Sequence, residues 1–307
     1  MTQRRNDSQI VIRQVDAFTI GPFAGNAAAV VLEAEGLSDH QMQLIAREMN
    51  LSETAFLLPS TRSDADLRLR WFTPSVEVDL CGHATVATFH SALEEGFLKP
   101  GSYRLECAAG VLPIQAEKDP EGRPLVKMGL PVPALEQVDL AACRIAEPLG
   151  IEADDIPRRL PIMKAGTWLL VPVSGLAVIR QLRPDFSALR AFGDQAGPAA
   201  IVVLTTETVE PGSAVHLRMF APGFGIDEDP VTGSAQGPVA GYLAVNRLLP
   251  GGPGAEMRRY VAEQGDEIGR PGRIDVEVEM SGPVVRSIAI VGRAVTVLRG
   301  SLALPPR

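Results

Sequence analysis

The chain has no run approaching the roughly 18 consecutive apolar residues that a membrane-spanning helix needs, so no membrane partner is expected. Its three cysteines, Cys81, Cys107 and Cys143, show no metal spacing and cannot all pair with one another, which speaks against a disulfide framework and for a reducing cytoplasm. Basic clusters are missing from every element and the formal net charge is −8, so nucleic acid is excluded as a partner for want of a phosphate-binding footprint. The basic segment Met1 to Ser8 is not followed by the apolar core of a secretory signal. Gly223-Phe-Gly225 lacks the third glycine and the strand-to-helix setting of a dinucleotide site. No Walker-type Gly-Lys-Ser/Thr, zinc-spaced cluster or Gly-x-Ser-x-Gly elbow occurs either, so nothing calls for a cofactor or a metal.

What is present is a globular composition, 46% hydrophobic and 21% charged over 307 residues, enough for two domains with cores of their own. A long repeat agrees with that number. Residues 72 to 85, Phe-Thr-Pro-Ser-Val-Glu-Val-Asp-Leu-Cys-Gly-His-Ala-Thr, return in weaker form from Phe220. Laying Phe72 on Phe220 brings Leu69 onto Leu217, Arg70 onto Arg218, Pro74 onto Pro222 and Asp79 onto Asp227; after an insertion Gly82 meets Gly233. A single repeat of this length indicates two halves related by a pseudo-twofold, with the two glycine turns facing one another, rather than a solenoid of short units. The densest cluster of prolines and glycines, Asp119 to Pro133, marks the crossover, giving halves of 1–125 and 126–307; a return of the last strands to the first half stays open.

Local patterns fill in the halves. Residues 10–18 read as a strand stopped by Gly21-Pro22, and Ala27 to Leu32 as a buried one. Ser38 with Gln41 forms a capping box that opens a helix carrying Met42, Ile45 and Met49 on one face and ending near Asn50, so that Leu51 to Thr54 lead into a strand at 55–58. Residues 67–72 and 215–220 alternate with period two and are expected to be half-exposed strands. Segments 84–93 and 235–245 are small and apolar nearly all round, so each is expected to be a helix enclosed on all sides. Surface helices are expected at 139–149 and 184–192, and strands at 199–205, 274–279 and 284–298.

Candidate chemistry collects at the two glycine turns. A helix start offers unpaired N–H groups and the positive end of the helix dipole, suited to a carboxylate or a developing oxyanion, although an ordinary cap looks the same. His83 at such a start is expected to be held neutral by the dipole, whereas His40, His90 and His216 read as surface or packing residues. Glu53 is either a solvated strand edge or a partly buried acid/base. Asp229, before Pro230, either shapes a turn or orients a proton donor by pairing with His83 or the substrate. Cys81 is a thiol base or a small apolar filler; since Thr232 occupies the matching position, the paired thiols of a two-base racemase are missing.

Ordered motifs along nearly the whole chain resemble the phenazine-biosynthesis PhzF-like family of the diaminopimelate epimerase fold. They are Val15-Asp-Ala-Phe-Thr19, Pro22-Phe-Ala-Gly-Asn26, Ile45-Ala-Arg-Glu-Met-Asn-Leu-Ser-Glu-Thr54, Phe72-Thr-Pro74, Leu80-Cys-Gly-His-Ala-Thr85, Asp229-Pro-Val-Thr-Gly-Ser-Ala235 and Gly269-Arg-Pro271. The resemblance implies an α+β fold of two pseudo-symmetric domains, each a barrel-like sheet around a central helix, with the active site in the cleft between them. It further implies a cofactor-free isomerase, known in the family to act on a dihydro-hydroxyanthranilate, with Glu53 moving the proton. His83, Asp229 and Ser234 would line the site, and Gly82 and Gly233 would hold the substrate carboxylate. Gln236 departs from the family, where many relatives have His, which bears on the substrate.

The expectation is therefore a cytoplasmic isomerase of a small carboxylate or amino-acid-like metabolite, with a homodimer left open. Its catalytic residues are Glu53, His83 and Asp229, and Gly82, Gly233, Ser234, Cys81 and Thr232 bind substrate. Two alternatives stand beside it: a racemase, epimerase or dehydratase using Cys81 as thiol base, and a binding protein that kept the fold without catalysis.

Overall fold

The computed structural model describes residues 9–252 and 254–304, so the basic segment 1–8 weighed above as a leader lies outside the described residues. The chain divides into two compact units, Met1–Gly129 with Val291–Arg307, and Leu130–Ile290. The first unit runs β1 (Gln9–Ala17), β2 (Asn26–Val31), α1 (Asp39–Met49), β3 (Glu53–Pro59), β4 (Leu67–Phe72), β5 (Glu77–Val78), α2 (Gly82–Glu94), β6 (Gly101–Cys107), β7 (Gly110–Lys118) and β8 (Pro124–Leu130). Next come β9 (Glu136–Gln137), α3 (Cys143–Leu149), β10 (Met163–Ala165), β11 (Trp168–Pro172), α4 (Leu176–Gln181), α5 (Phe186–Ala196) and β12 (Ala200–Thr205). The chain continues through β13 (Val215–Ala221), β14 (Ile226–Asp229), α6 (Gln236–Val245), β15 (Met257–Gln264), β16 (Gly272–Ser281) and β17 (Val284–Gly292). Finally β18 (Ala294–Ala303) pairs along its length with β1, which is why it belongs to the first unit.

The duplication is visible in the strand pairing of each unit. In the first, β1 and β2 are antiparallel, β2 and β3 parallel, β3 and β4 antiparallel; β4 takes β5 antiparallel and β6 parallel, and β6 turns back into β7. The second repeats that order from β10 to β16, with α4 and α5 in the place of α1. The repeat is also chemical. Arg70 donates from Nε and Nη2 to Glu77, both at 2.7 Å, and stands 5.1 Å over the Phe72 ring. Arg218 makes the same fork to Glu228 at 2.8 and 2.7 Å and stands 5.2 Å over Phe220.

Each unit wraps its strands around one helix. From Gly82 to Leu93 every residue of α2 is buried, and so is α6 from Gln236 to Leu243, as helices without a polar face require. The threonines of α2 survive burial because Thr85 and Thr88 donate to the carbonyls of Cys81 and Ala84, one turn back, at 2.6 and 2.7 Å. Outside β2 and β3 lies α1, opened by the Ser38–Gln41 capping box and stopped at Asn50 in the left-handed region, φ +49°. Met42 and Ile45 pack there with Phe56 and Phe72, whose rings meet edge to face at 5.6 Å, a contact worth about 0.5–1.5 kcal/mol beyond burial.

Four expectations change. β13 is buried along its whole length rather than half exposed, because its polar side chains are paired: Arg218 with Glu228, and His216 with Glu263 and Glu267. The same pairs remove His216 from the surface or packing residues. The helix expected at 139–149 is only Cys143–Leu149, and the terminal stretch 284–298 breaks at Arg293 into β17 and β18.

Candidate active site

In the first unit, three element starts bring polar side chains together. β2 begins at Asn26 and β3 at Glu53, in parallel register with Ala28 opposite Glu53, and α2 begins at Gly82. The loop before Asn26 is tightly held. The Asp16 carboxylate accepts from the Phe23 N–H at 2.7 Å, and Gly25 sits at φ +61° where a Cβ would lie 2.1 Å from the Ala17 carbonyl oxygen. Asn26 Nδ2 then lies 3.2 Å from His83 Nδ1, Cys81 Sγ lies 3.4 Å from the same nitrogen, and Glu53 Oε2 lies 3.2 Å from His83 Nε2. All four residues are buried.

These contacts define the state of the ring. An amide nitrogen only donates, so Nδ1 of His83 accepts and its proton resides on Nε2, which lies 3.2 Å from Glu53 Oε2 but outside hydrogen-bond geometry with it. Burial pushes the His83 pKa down to about 3, so the ring is neutral, as expected; the cause is desolvation rather than the helix dipole. Cys81, the N-cap of α2, makes no side-chain cap, and the N–H groups of Gly82, His83 and Ala84 donate to no protein acceptor among the described residues.

The second unit's turn is built differently. Its helix α6 starts at Gln236, three residues after Gly233, and is preceded by a turn over 233–235. Thr232 Oγ1 donates to Asp229 Oδ2 at 2.5 Å. Gln264 clamps both residues, donating to the Asp229 carbonyl at 2.7 Å and to Thr232 Oγ1 at 3.0 Å while accepting from the Thr232 N–H at 2.9 Å. Thr232 therefore spends both donors inside the turn and supports it. The N–H groups of Gly233, Ser234 and Ala235 remain without a protein acceptor among the described residues. Gln236 is fully buried, and neither its amide oxygen nor its amide nitrogen has a hydrogen-bond partner among them.

Sequence spacing showed no metal cluster, yet folding places ligand atoms of Glu53, Cys81 and His83 within 4.8 Å of one another. A thiol, an imidazole and a carboxylate form a zinc-type donor set. However, Cys81 approaches Nδ1 and Glu53 approaches Nε2, and these nitrogens point to different sides of the ring. Asn26 and Gln264 had no role assigned from the sequence. Asn26 stood inside a quoted motif, whereas Gln264 stood in none and reaches Asp229 and Thr232 only through its side chain once the chain has folded.

A hydroxyproline epimerase of Agrobacterium vitis, 15% identical, aligns at TM-score 0.63 over 98% of this chain and 94% of its own, a likeness of fold alone. The profile described as phenazine biosynthesis-like protein matches residues 15–300, and the chain belongs to that family. The uncharacterized isomerase YddE of Escherichia coli O157:H7 is 39% identical over 300 residues, which cover 95% of this chain and 98% of that protein. A phenazine biosynthesis protein of the PhzF family from Bacillus anthracis is 33% identical and aligns at TM-score 0.87, covering 96% of this chain and 99% of that one. The chain is thus an enzyme of the isomerase class. No helix among the described residues is long and apolar enough to cross a membrane.

Proposed function

We propose that this isomerase works without a cofactor and moves a proton within a small carboxylate or amino-acid-like metabolite, with Glu53 as the carrier. The observation that supports it is the Glu53 carboxylate, buried and 3.2 Å from the N–H-bearing nitrogen of a neutral His83. Glu53 takes a proton from a carbon next to a carboxylate or conjugated group; the bonding pair moves into that group, and the protonated Glu53 returns the proton to another carbon. His83 Nε2–H, 3.2 Å from that oxygen but outside hydrogen-bond geometry with it in this structure, turns onto its anionic form during the reaction. Such a carbon acid ionises only where fixed donors meet the developing charge. The free N–H groups at Gly82 are donors of that kind; in the second unit the N–H groups at Gly233 and Ser234, with Asp229 held by Thr232 and Gln264, form a separate set suited to a polar substrate group. Gln236, with donor and acceptor both unspent, reads a polar group of the substrate.

One contact favours a second reading, in which Cys81 is the base, since its sulfur lies 3.4 Å from His83 Nδ1. A neighbouring imidazole with a pKa near 3 is too weak a base to hold the thiol proton at neutral pH, which favours Glu53. Solvent-deuterium incorporation into a turned-over carboxylate substrate separates the two. Glu53→Gln abolishes exchange and Cys81→Ser leaves it largely intact if the proposal holds; exchange that survives Glu53→Gln would sink it.

A further inference from the structure

The second unit holds a cavity of about 520 Å³ lined by Arg180, Arg183, Val209, Arg218, Asp266 and Glu267, none of which belongs to the turn from Asp229 to Ser234. Most of the charged groups of its lining are paired. Arg218, only 6% exposed, is spent on Glu228 through its fork. Asp266 is spent on Arg273, which donates from Nη1 and Nη2 at 3.0 and 2.9 Å, and Glu267 on His216 at 3.1 Å. Arg183 finds only the carbonyls of Arg180 and Leu182, and Arg180 finds no partner; neither has a carboxylate within ion-pair distance among the described residues. Arg180 and Arg183 are thus the two guanidinium groups of the lining with no carboxylate paired to them among the described residues.

These two arginines stand on a fixed support. Between and beside them Ile179 and Leu182 are buried in the core of the unit, and Arg218 Nη1 donates to the carbonyls of those same residues at 3.2 and 3.4 Å. The backbone that carries the free cations is thereby pinned from below, so their ordering costs less when a ligand arrives. Guanidinium groups match the paired oxygens of a phosphoryl group or carboxylate. The volume lies in the range of small-molecule sites and exceeds what a bare inorganic ion fills. Val209 offers an apolar wall for the organic part, and the carboxylates of Asp266 and Glu267 retain acceptor capacity for hydroxyl or ammonium groups.

We propose that this cavity is a second ligand site, which binds a small organic dianion, a phosphate monoester or a dicarboxylate, with Arg180 and Arg183 reading its charge. The probes are inorganic phosphate and malonate, titrated calorimetrically into the full-length protein against chloride of equal ionic strength. The comparison is with the double variant Arg180→Gln, Arg183→Gln, which changes two exposed side chains outside the candidate active site and retains its isomerase activity. Because the candidate active site is itself expected to take carboxylates, the difference between the two proteins decides. Binding at least tenfold weaker in the double variant supports the site; loss for phosphate alone assigns a phosphate monoester, for malonate alone a dicarboxylate, and for both an oxyanion site serving either. The Arg180→Lys, Arg183→Lys variant restores part of the binding, and unfolding temperatures in chloride confirm that all three proteins are folded. Equal affinity in wild type and the Gln variant, or no binding of either probe above chloride, overturns the proposal.

Discussion

His83 presents Nε2 to Glu53 Oε2 at 3.2 Å while its other nitrogen faces Asn26, so the ring is a neutral donor and not the cation of an ion pair. The stability consequence has a definite sign. Burial lowers the folded pKa of His83 to about 3 from an ordinary 6.5, so between those values the unfolded chain binds a proton that the folded chain refuses. Stability is therefore lost as pH falls below 6.5, by up to about 2 kcal/mol from this residue between pH 6.5 and 5. Buried His90 adds to the loss in the same direction. Urea unfolding at pH 7 and pH 5 should show a smaller acid loss for His83→Asn than for wild type; equal losses would mean that the ring is charged in the folded protein.

Asn26 sets the tautomer by donating to Nδ1, so changing its hydrogen-bond sense should disarm the cluster without emptying it. In Asn26→Asp a carboxylate stands at Nδ1, draws the proton there and leaves Nε2 an acceptor facing the Glu53 oxygen. By analogy with other catalytic His–carboxylate systems, in which a wrong tautomer is costly, kcat is expected to fall by about 10²-fold or more. A nitrogen-resolved spectrum of the imidazole checks the cause: the proton should move from Nε2 to Nδ1. A slow variant with the proton still on Nε2 would assign the loss to something else.

Much of this arrangement was legible in local pattern. The capping box at Ser38, the left-handed stop at Asn50 and the all-apolar helices at 84–93 and 235–245 follow from side-chain chemistry acting within one or two turns, and folding left them where the pattern put them. The repeat aligned Arg70 with Arg218 and Phe72 with Phe220, and folding stacks each arginine on its phenylalanine. What local pattern missed depends on long-range pairing. His216 looks like an exposed residue of an alternating strand, because the carboxylates that bury it, Glu263 and Glu267, lie about fifty positions later. Gln264 was silent for the same reason, its partners Asp229 and Thr232 being 35 and 32 residues away. The metal-type proximity of Glu53 to His83 likewise exists only once β3 and the start of α2 are brought together.

Gln264 acts as a clamp, and the glycine after it allows the clamp to close. At φ +89°, a Cβ on Gly265 would lie 2.3 Å from the Arg270 carbonyl oxygen and 2.6 Å from that of Pro230. Gly265→Ala is expected to cost more than about 1 kcal/mol, because both the backbone conformation and the close approach oppose it. Gln264→Ala leaves the backbone free but removes the bonds to Asp229 and Thr232, so it should lower kcat by more than its loss of stability explains. Comparing unfolding midpoints with kcat for the two variants checks this; full activity in a folded Gln264→Ala would remove the clamp from the mechanism.

The duplicated arginines should differ in worth despite their common geometry. Arg218 and Glu228 are both nearly buried, so Arg218→Ala strands a buried carboxylate and two backbone carbonyls, at a cost of about 3–5 kcal/mol. Arg70 pairs with the more exposed Glu77 and Asp39, which water can solvate once the arginine is gone, so Arg70→Ala should cost about 1 kcal/mol. Chemical unfolding of the two variants tests the order. Equal losses would show that stacking on Phe72 and Phe220, which the two share, outweighs ion-pair burial.

His216 provides the opposite pH signature to His83. Its ring is fully buried, which by itself lowers the pKa, but hydrogen bonds donated by the ring to Glu267 and Glu263 more than offset this and the net shift is upward. Glu263 and Glu267 are held below the usual 4.5 by their bonds to His216, against the opposing effect of burial. A raised histidine contributes stability that is complete below 6.5 and is lost as pH rises through its folded value; lowered carboxylates contribute stability that is lost as pH falls below 4.5. The triad is therefore at its strongest between about 4.5 and 6.5. His216→Gln leaves two buried carboxylates without their cation and should cost about 3–5 kcal/mol at pH 6. As pH rises through the folded value of the wild-type ring, the gap between wild type and variant should narrow. Urea denaturation of both proteins at pH 6 and pH 9 measures that gap, and an unchanged gap would mean that His216 is neutral throughout and serves its two glutamates only as a hydrogen-bond donor.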